Sequence, residues 1–478
     1  MASIKGNIVL NSINTVTGII FPIITFPYAA RVLLPDGIGI VNFQLSLINY
    51  IVLFTGLGIP LYAVKEIAKY QNDITLRNTV AAEILTLSVV LCIIGYLFVW
   101  LIAQFVPQVH SYQSLFYILS LTILFTAIGV NWFYQGIEDF KFITVRAIII
   151  RCLSATLLFL FVKSPDDLLI YGLVVVGSTV GNNLINFIHL RKYLKSNYIS
   201  KNLSRVLRHL KPSLSAFTFY VLASIYLYIN TTMLGFMTND NIVGLFTAGT
   251  KIPTIGLTLI GSIGVVLLPR SVNMLEEGKK LEFRQLSIKS IESTLAIALP
   301  ISLGTFLLAE PLICIFCGYS YLNSIQILYW NSPIILITGI INLIGSQILY
   351  PKGCIRLMII SKAIGLVTNI ILNLFLIPKL NAIGAAISIL ISEILSLIVI
   401  LLIGNKKIPY HIFDLRIKNY LVASLLMGIF IIGMELCVEN QITKLILCFT
   451  GGVAIYSTYL YSRNDGFIRL CLDMLHLK

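Results

Sequence analysis

Residues 80–105 read VAAEILTLSVVLCIIGYLFVWLIAQF and carry one charge, Glu83, in 26 positions. A helix rises about 1.5 Å per residue, so about 20 apolar residues cross the hydrocarbon core of a bilayer. This stretch is long enough to do so, and it lacks the strict alternation of an outer-membrane barrel strand. Thirteen similar stretches lie on either side, at roughly 8–29, 38–60, 112–135, 145–163, 168–190, 212–236, 242–268, 289–309, 325–349, 356–377, 381–403, 419–437 and 442–461. Together they fill most of the 478-residue chain, which is 58% hydrophobic and 11% charged, with mean hydropathy +0.93. The expected fold class is an all-α integral membrane protein of about 14 transmembrane helices. The first stretch does not read as a cleavable signal, because it has no small-residue cleavage site and Pro22 and Pro27 interrupt it.

Lysine and arginine set the orientation. With the N-terminus inside, 27 of the 34 fall in inner loops and termini. Four fall in outer loops (Arg31, Lys163, Lys379 and Lys444), and Arg151, Lys251 and Lys362 lie within spans. That is a positive-inside distribution, and it supports the count, since one missed span would invert every later loop. The expected location is the bacterial inner membrane, multi-pass, with both termini cytoplasmic. The net charge of +14 follows from topology and from attraction to anionic membrane lipids, so no nucleic-acid partner is implied.

The longest polar segments, 191–211, 269–288 and 404–418, are basic, and none can hold a folded domain. The outer loops are shorter. A membrane polymerase or ligase acting on external sugars usually carries a large outer loop with catalytic carboxylates, which has no room here. There is no G-x-x-x-x-G-K-[ST] phosphate loop. No catalytic residues are expected, and no enzyme. The eight cysteines are scattered; Cys314 and Cys317 form a lone C-x-x-C better read as apolar packing than as a metal or redox site. No metal or cofactor is expected.

A faint internal repeat organises the chain. An offset of 205 superimposes Gly39 on Gly244 and Lys65 on Arg270, and an offset of 216 superimposes Arg146 on Lys362 and Lys163 on Lys379. Spans 1–6 then correspond to spans 7–12 in the same orientation, a parallel repeat. The expected organisation is an N-lobe over 1–190, a basic linker over 191–211, a C-lobe over 212–403 and two C-terminal helices over 404–478. Two pseudo-symmetric six-helix bundles would face each other across a cavity, span 1 opposite span 7 and span 2 opposite span 8.

Polar residues on spanning helices recur at helical spacing. Span 1 has Asn7, Asn11, Asn14 and Gly18; span 2 has Asn42, Ser46 and Asn49; span 7 has Tyr220, Ser224, Tyr228 and Thr231. Span 8 has Thr247, Lys251 and Thr254, and span 11 has Lys362, Asn369 and Asn373. Small polar residues often join helices by hydrogen bonds. Their recurrence at repeat-related positions points instead to a shared polar cavity. A Lys or Arg at a helix centre costs ~2.5–3.5 kcal/mol on insertion scales. Arg151, Lys362, Glu83 and Glu292 lie near the expected inner face and can snorkel. Lys251 and Glu393 are deeper; they either face water or cargo, or pair with each other.

Three segments carry a resemblance: Gly56-Leu57-Gly58-Ile59-Pro60-Leu61-Tyr62 with Lys65-Glu66-Ile67-Ala68; Asn131-Trp132-Phe133-Tyr134-Gln135-Gly136-Ile137-Glu138; and Asn369 to Asn373 followed by Ile377-Pro378, Gly384-Ala385-Ala386 and Ser392-Glu393. In order along the whole chain, they resemble the multidrug/oligosaccharidyl-lipid/polysaccharide exporter superfamily, and within it the Wzx-type flippases of lipid-linked oligosaccharides. The chain departs from the pattern at Arg31-Val32-Leu33-Leu34-Pro35, where Leu-Gly often follows the arginine. It also has Asn230-Thr231-Thr232 where relatives often carry an acidic residue. The resemblance implies alternating access and an undecaprenyl-diphosphate-linked oligosaccharide as cargo, with membrane lipids, a polysaccharide polymerase and other assembly proteins as partners. It leaves the coupling ion, H+ or Na+, open. Lysine and arginine would balance the diphosphate, and Asn, Ser, Thr and Tyr would bind sugar hydroxyls. With Arg31 and Arg146 at span ends, the cavity candidates are Arg31, Arg146, Arg151, Lys251, Lys362, Glu393 and the Asn42, Ser46, Asn49, Thr247, Thr254, Asn369 and Asn373 stripes. The alternative cargo is a drug cation in a multidrug antiporter, which calls for an acidic residue in span 1 that is missing here. A non-transporting scaffold is a third reading.

Overall fold

The computed structural model describes residues 4–194, 200, 202–404, 408 and 417–466. The side chains of Asn7, Asn11 and Tyr220 and most of the 404–418 segment lie outside them. The helices are α1 (Ile4–Gly56), α2 (Ile59–Lys69), α3 (Ile74–Phe105), α4 (Pro107–His110), α5 (Gln113–Ile128), α6 (Asn131–Gly136), α7 (Phe140–Phe161), α8 (Leu168–Leu194) and α9 (Leu203–Leu207). There follow α10 (Leu210–Met237), α11 (Asp240–Glu276), α12 (Lys280–Leu307), α13 (Ala309–Phe316), α14 (Ser324–Leu343), α15 (Ile355–Gly404), α16 (Ile417–Cys437) and α17 (Gln441–Ser462). Among the described residues there is no strand, and eleven segments are long and apolar enough to cross a membrane. Each of the fourteen expected stretches falls on one or more of these helices.

The helices break where the backbone demands it. Within α1, Leu34 takes φ 58° directly before Pro35, whose ring cannot continue the hydrogen bonding of the preceding turn. Within α15, Asn381 takes φ 51° three residues after Pro378. Each of these helices therefore folds as two. The α7–α8 turn is closed by Asp167, whose carboxylate accepts from the backbone N–H groups of Lys163 and Ser164, both at 2.8 Å; these bonds hold its carboxyl below the usual range. The repeat offset of 216 carries this turn onto the Asn381 break.

Two compact units divide the chain, Met1–Gly244 and Leu245–Lys478. The core of the first joins α2, α3, α6 and α9 through Ile59, Ala63, Ile67, Ile84, Phe133, Tyr134 and Val206. The two longest motif segments, 56–68 and 131–138, pack on each other here, with Gly136 against the Ile67 side chain. In this unit the second half of α1 also runs along α10, with Phe43 against Phe236, Tyr50 against Tyr228 and Phe54 against Phe217. Span 2 thus packs directly on span 7.

Repeat-related residues meet at one point of this unit. A Cβ on Gly39 would overlap the Asp240 carbonyl, and one on Gly244 the Pro35 carbonyl. Asn241 donates to Asp36 at 3.0 Å, and these two are also 205 apart.

In the second unit, α16 packs on α12 and α17 on α13, with α16 and α17 against each other. Tyr420, Met427, Cys448 and Tyr456 are buried there with Leu295, Ile344 and Ile348, and the Tyr456 hydroxyl donates to the Ala296 carbonyl at 2.7 Å. Both units show large apolar side chains outward, Ile93, Phe105, Leu402 and Leu436 among them, while Glu83, Asn186, Asn369, Asn373 and Glu393 are buried. Lipid as solvent explains that distribution.

Candidate functional site

In the first unit, Arg146 and Arg151 lie on α7. Arg146 donates from Nε to Asn182 Oδ1 on α8 at 3.1 Å and from Nη2 to Asn131 Oδ1 on α6 at 3.3 Å, and its guanidinium lies over Phe142. Arg151 donates to α1, to the Asn14 carbonyl at 3.0 Å and to Thr17 Oγ1 at 2.6 Å. Asn14, a stripe residue of span 1, thus meets the arginine through its backbone carbonyl and not through its side chain. Neither arginine is in a carboxylate ion pair among the described residues.

The span 2 stripe divides. Ser46 is buried and shares a 2.8 Å hydrogen bond with Thr232 of α10, which is the interhelical bonding expected of small polar residues. Asn42 donates to the Ile38 carbonyl at 2.8 Å, and Asn42 and Asn49 are half-buried. Arg31 is exposed.

In the second unit, Glu393 is buried and accepts from Lys362 Nζ at 2.8 and 3.1 Å and from Thr338 Oγ1 at 2.9 Å. The pairing weighed for Lys251 and Glu393 therefore goes to Lys362. The reason is the α15 hairpin, which folds at Asn381 and brings positions 31 apart together. Ser361 and Ser396 exchange hydroxyl-to-carbonyl bonds across the same hairpin, at 2.7 and 3.2 Å. Asn373 donates to Asn369 Oδ1 at 3.2 Å, and both are fully buried. Lys251 and Thr247 are half-buried on α11, and Thr254 is exposed with its hydroxyl donating to the Thr250 carbonyl at 2.8 Å.

One cluster was not read from the sequence. Buried Glu83 accepts from Arg208 Nη2 at 2.6 Å and lies 2.9 Å from His209 Nε2, while His209 Nδ1 lies 2.7 Å from the Tyr62 hydroxyl. Glu83 does not snorkel; it anchors the segment leading into α10. A lone acid in an apolar span, with an Arg-His pair at the end of the next basic loop, was the available signal. Cys314 and Cys317 are both buried.

What these geometries provide is fixed positive charge and hydrogen-bonding groups inside an apolar helical fold. A family model described as "Polysaccharide biosynthesis protein" matches residues 4–275, more than half of the chain. The chain belongs to the polysaccharide biosynthesis protein family. Within that family setting, the chain is 25% identical over 414 residues to a putative O-antigen transporter of Escherichia coli (strain K12), covering 85% of this chain and 98% of that one. Among solved structures it is similar to the lipid II flippase MurJ in an inward closed conformation, with TM-score 0.72, 18% identity, and coverage of 95% of this chain and 99% of the other. It is also similar to an inward-facing multidrug resistance MATE transporter, with TM-score 0.60, 18% identity, and coverage of 84% and 98%. At that identity the two structures establish a shared fold, which serves different cargo in the two neighbours.

Proposed function

We propose that this member of the polysaccharide biosynthesis protein family is a flippase. It carries undecaprenyl-diphosphate-linked oligosaccharide repeat units from the cytoplasmic to the periplasmic leaflet of the inner membrane by alternating access, without covalent chemistry. The supporting observation is positive charge held inside apolar helices in a chain collinear with nearly all of a putative O-antigen transporter. Arginine and lysine suit a diphosphate. Asn, Ser and Thr along the same helices suit sugar hydroxyls, and the polyprenyl tail stays in lipid. Span 1 has no acidic residue for a cationic drug, which disfavours the antiporter reading despite the shared fold. The short outer loops disfavour a polymerase or ligase. Both termini are cytoplasmic on the charge distribution, coupling is to H+ or Na+, and the downstream partner is a polymerase.

Lys251 supplies charge to the cargo. Deleting the gene should accumulate a lipid-linked oligosaccharide on the cytoplasmic leaflet, scored by access to an impermeant glycosidase in oriented vesicles. Lys251→Ala should reproduce that accumulation at wild-type protein level, and Lys251→Arg should restore part of the transport. Unchanged leaflet distribution in the deletion strain would remove the flippase reading. Full transport by Lys251→Ala would remove only the role given to this lysine.

A further inference from the structure

Arg146 is an unusual burial. It is 7% exposed, its hydrogen-bond partners among the described residues are the neutral amides of Asn131 and Asn182, and Nη1 has none among them. A buried cation held by amide dipoles and the face of the Phe142 ring, with no carboxylate ion pair among the described residues, is costly, and an anion brought to it recovers much of that cost. Beside it opens a pocket of about 440 Å³ lined by Asp139, Lys141, Phe142, Val145, Arg146, Ile149 and Ile185. Asp139 is already engaged, its carboxylate accepting from the Phe142 N–H at 3.2 Å as the cap of α7. Lys141 is exposed at the same end of the helix. With one carboxylate against two cations, the pocket carries a net positive charge.

The remaining wall is apolar and open. Val145 is 47% exposed and Ile149 57%, on successive turns of α7, and Ile185 of α8 lies beside them. A small soluble anion would gain nothing from such a wall, and an uncharged lipid would gain nothing from the arginine. We propose that this pocket binds an anionic glycerophospholipid, its phosphate reaching Arg146 with Lys141 at the rim and one acyl chain lying along Val145, Ile149 and Ile185. Basic pockets between spanning helices are suited to such head groups. The site needs no transport, so it stands apart from the flippase reading.

Native mass spectrometry of the detergent-purified full chain tests it, with phosphatidylglycerol, phosphatidylcholine, undecaprenyl diphosphate and inorganic phosphate offered separately. The wild type should retain one phosphatidylglycerol in preference to phosphatidylcholine. Arg146→Gln should weaken that retention by about tenfold or more, tenfold being the lower end for losing a hydrogen bond to a charged group. Since Arg146 also joins α6 to α8, Ile185→Trp provides a second variant, filling the pocket while leaving the arginine and its amides in place. It should abolish the adduct in a monodisperse protein. Equal retention of phosphatidylglycerol and phosphatidylcholine would overturn the proposal, as would adducts unaffected by either variant. Retention of undecaprenyl diphosphate or of inorganic phosphate in place of phosphatidylglycerol would overturn it too, the first in favour of a cargo entry point and the second in favour of a plain anion site.

Discussion

Lys362 and Glu393 are the most consequential ion pair among the described residues of the second unit, because one partner is almost fully enclosed. Glu393 is 1% exposed and Lys362 24%. Removing the lysine leaves a buried carboxylate with, among the described residues, Thr338 alone to satisfy it, which should cost roughly 3 kcal/mol. Lys362→Met should therefore lower the unfolding temperature in detergent, and Lys362→Met/Glu393→Leu should recover most of the loss. Simple addition of the two single effects would show that the pair is not coupled. The sequence marked both residues as charges embedded in spans, since a charge in an apolar run stands out. It did not pair them, because pairing depends on where the helix between them folds. The position of that fold was itself readable from Ile377-Pro378 and the Gly384-Ala385-Ala386 run. An antiparallel hairpin turning there places 361 beside 396 and 362 beside 393. Ser46 shows the limit at this scale: the stripe was visible, but its neighbour Thr232 belongs to a helix nearly 200 positions away.

At the scale of helices, the crossing of Gly39 and Gly244 allows the start of span 2 and the start of α11 to approach backbone to backbone. A side chain on either glycine would strike a carbonyl, and helix backbones do not yield as a flexible side chain does. Gly244→Val should lower stability by about 1–3 kcal/mol through overpacking, with Gly39→Val behaving alike. Gly177→Ala makes the control, because a Cβ there meets nothing within 4 Å and alanine favours the helix. Equal melting temperatures for Gly244→Val and Gly177→Ala would mean that the helices can part at no cost. The offset of 205 superimposes these two glycines in the sequence, but an offset does not say that they touch. Element ends were less legible. Span 2 runs in sequence into Ile59 and Pro60, and the structure breaks it at Gly56 and starts α2 after Gly58, whose φ of 69° suits glycine. The buried Ile59, Ala63 and Ile67 recur every fourth residue, the mark of a helix lying on a core with its other face outward.

For the molecule as a whole, hydropathy told most of the fold, because lipid leaves the backbone no option but to bond within its own segment. The orientation rests on the 27-to-4 division of basic residues, and it can be checked directly. A single cysteine at Glu277, in an exposed turn between α11 and α12, should resist an impermeant thiol reagent added to intact cells, in a background freed of the native cysteines. Ready labelling from outside would reverse the topology. The position of α10 was less legible: it falls in the first unit, held there by Phe43, Ser46 and Tyr50 rather than by its place in the repeat. The anchor at its start has a further meaning. Val206 sits in the first unit's core, and Arg208 and His209 are fastened to Glu83 and Tyr62. Covalent continuity through 195–201 is therefore not what keeps α10 against its neighbours. New chain ends could be opened in that stretch, and two separately translated pieces would still carry the means to find each other.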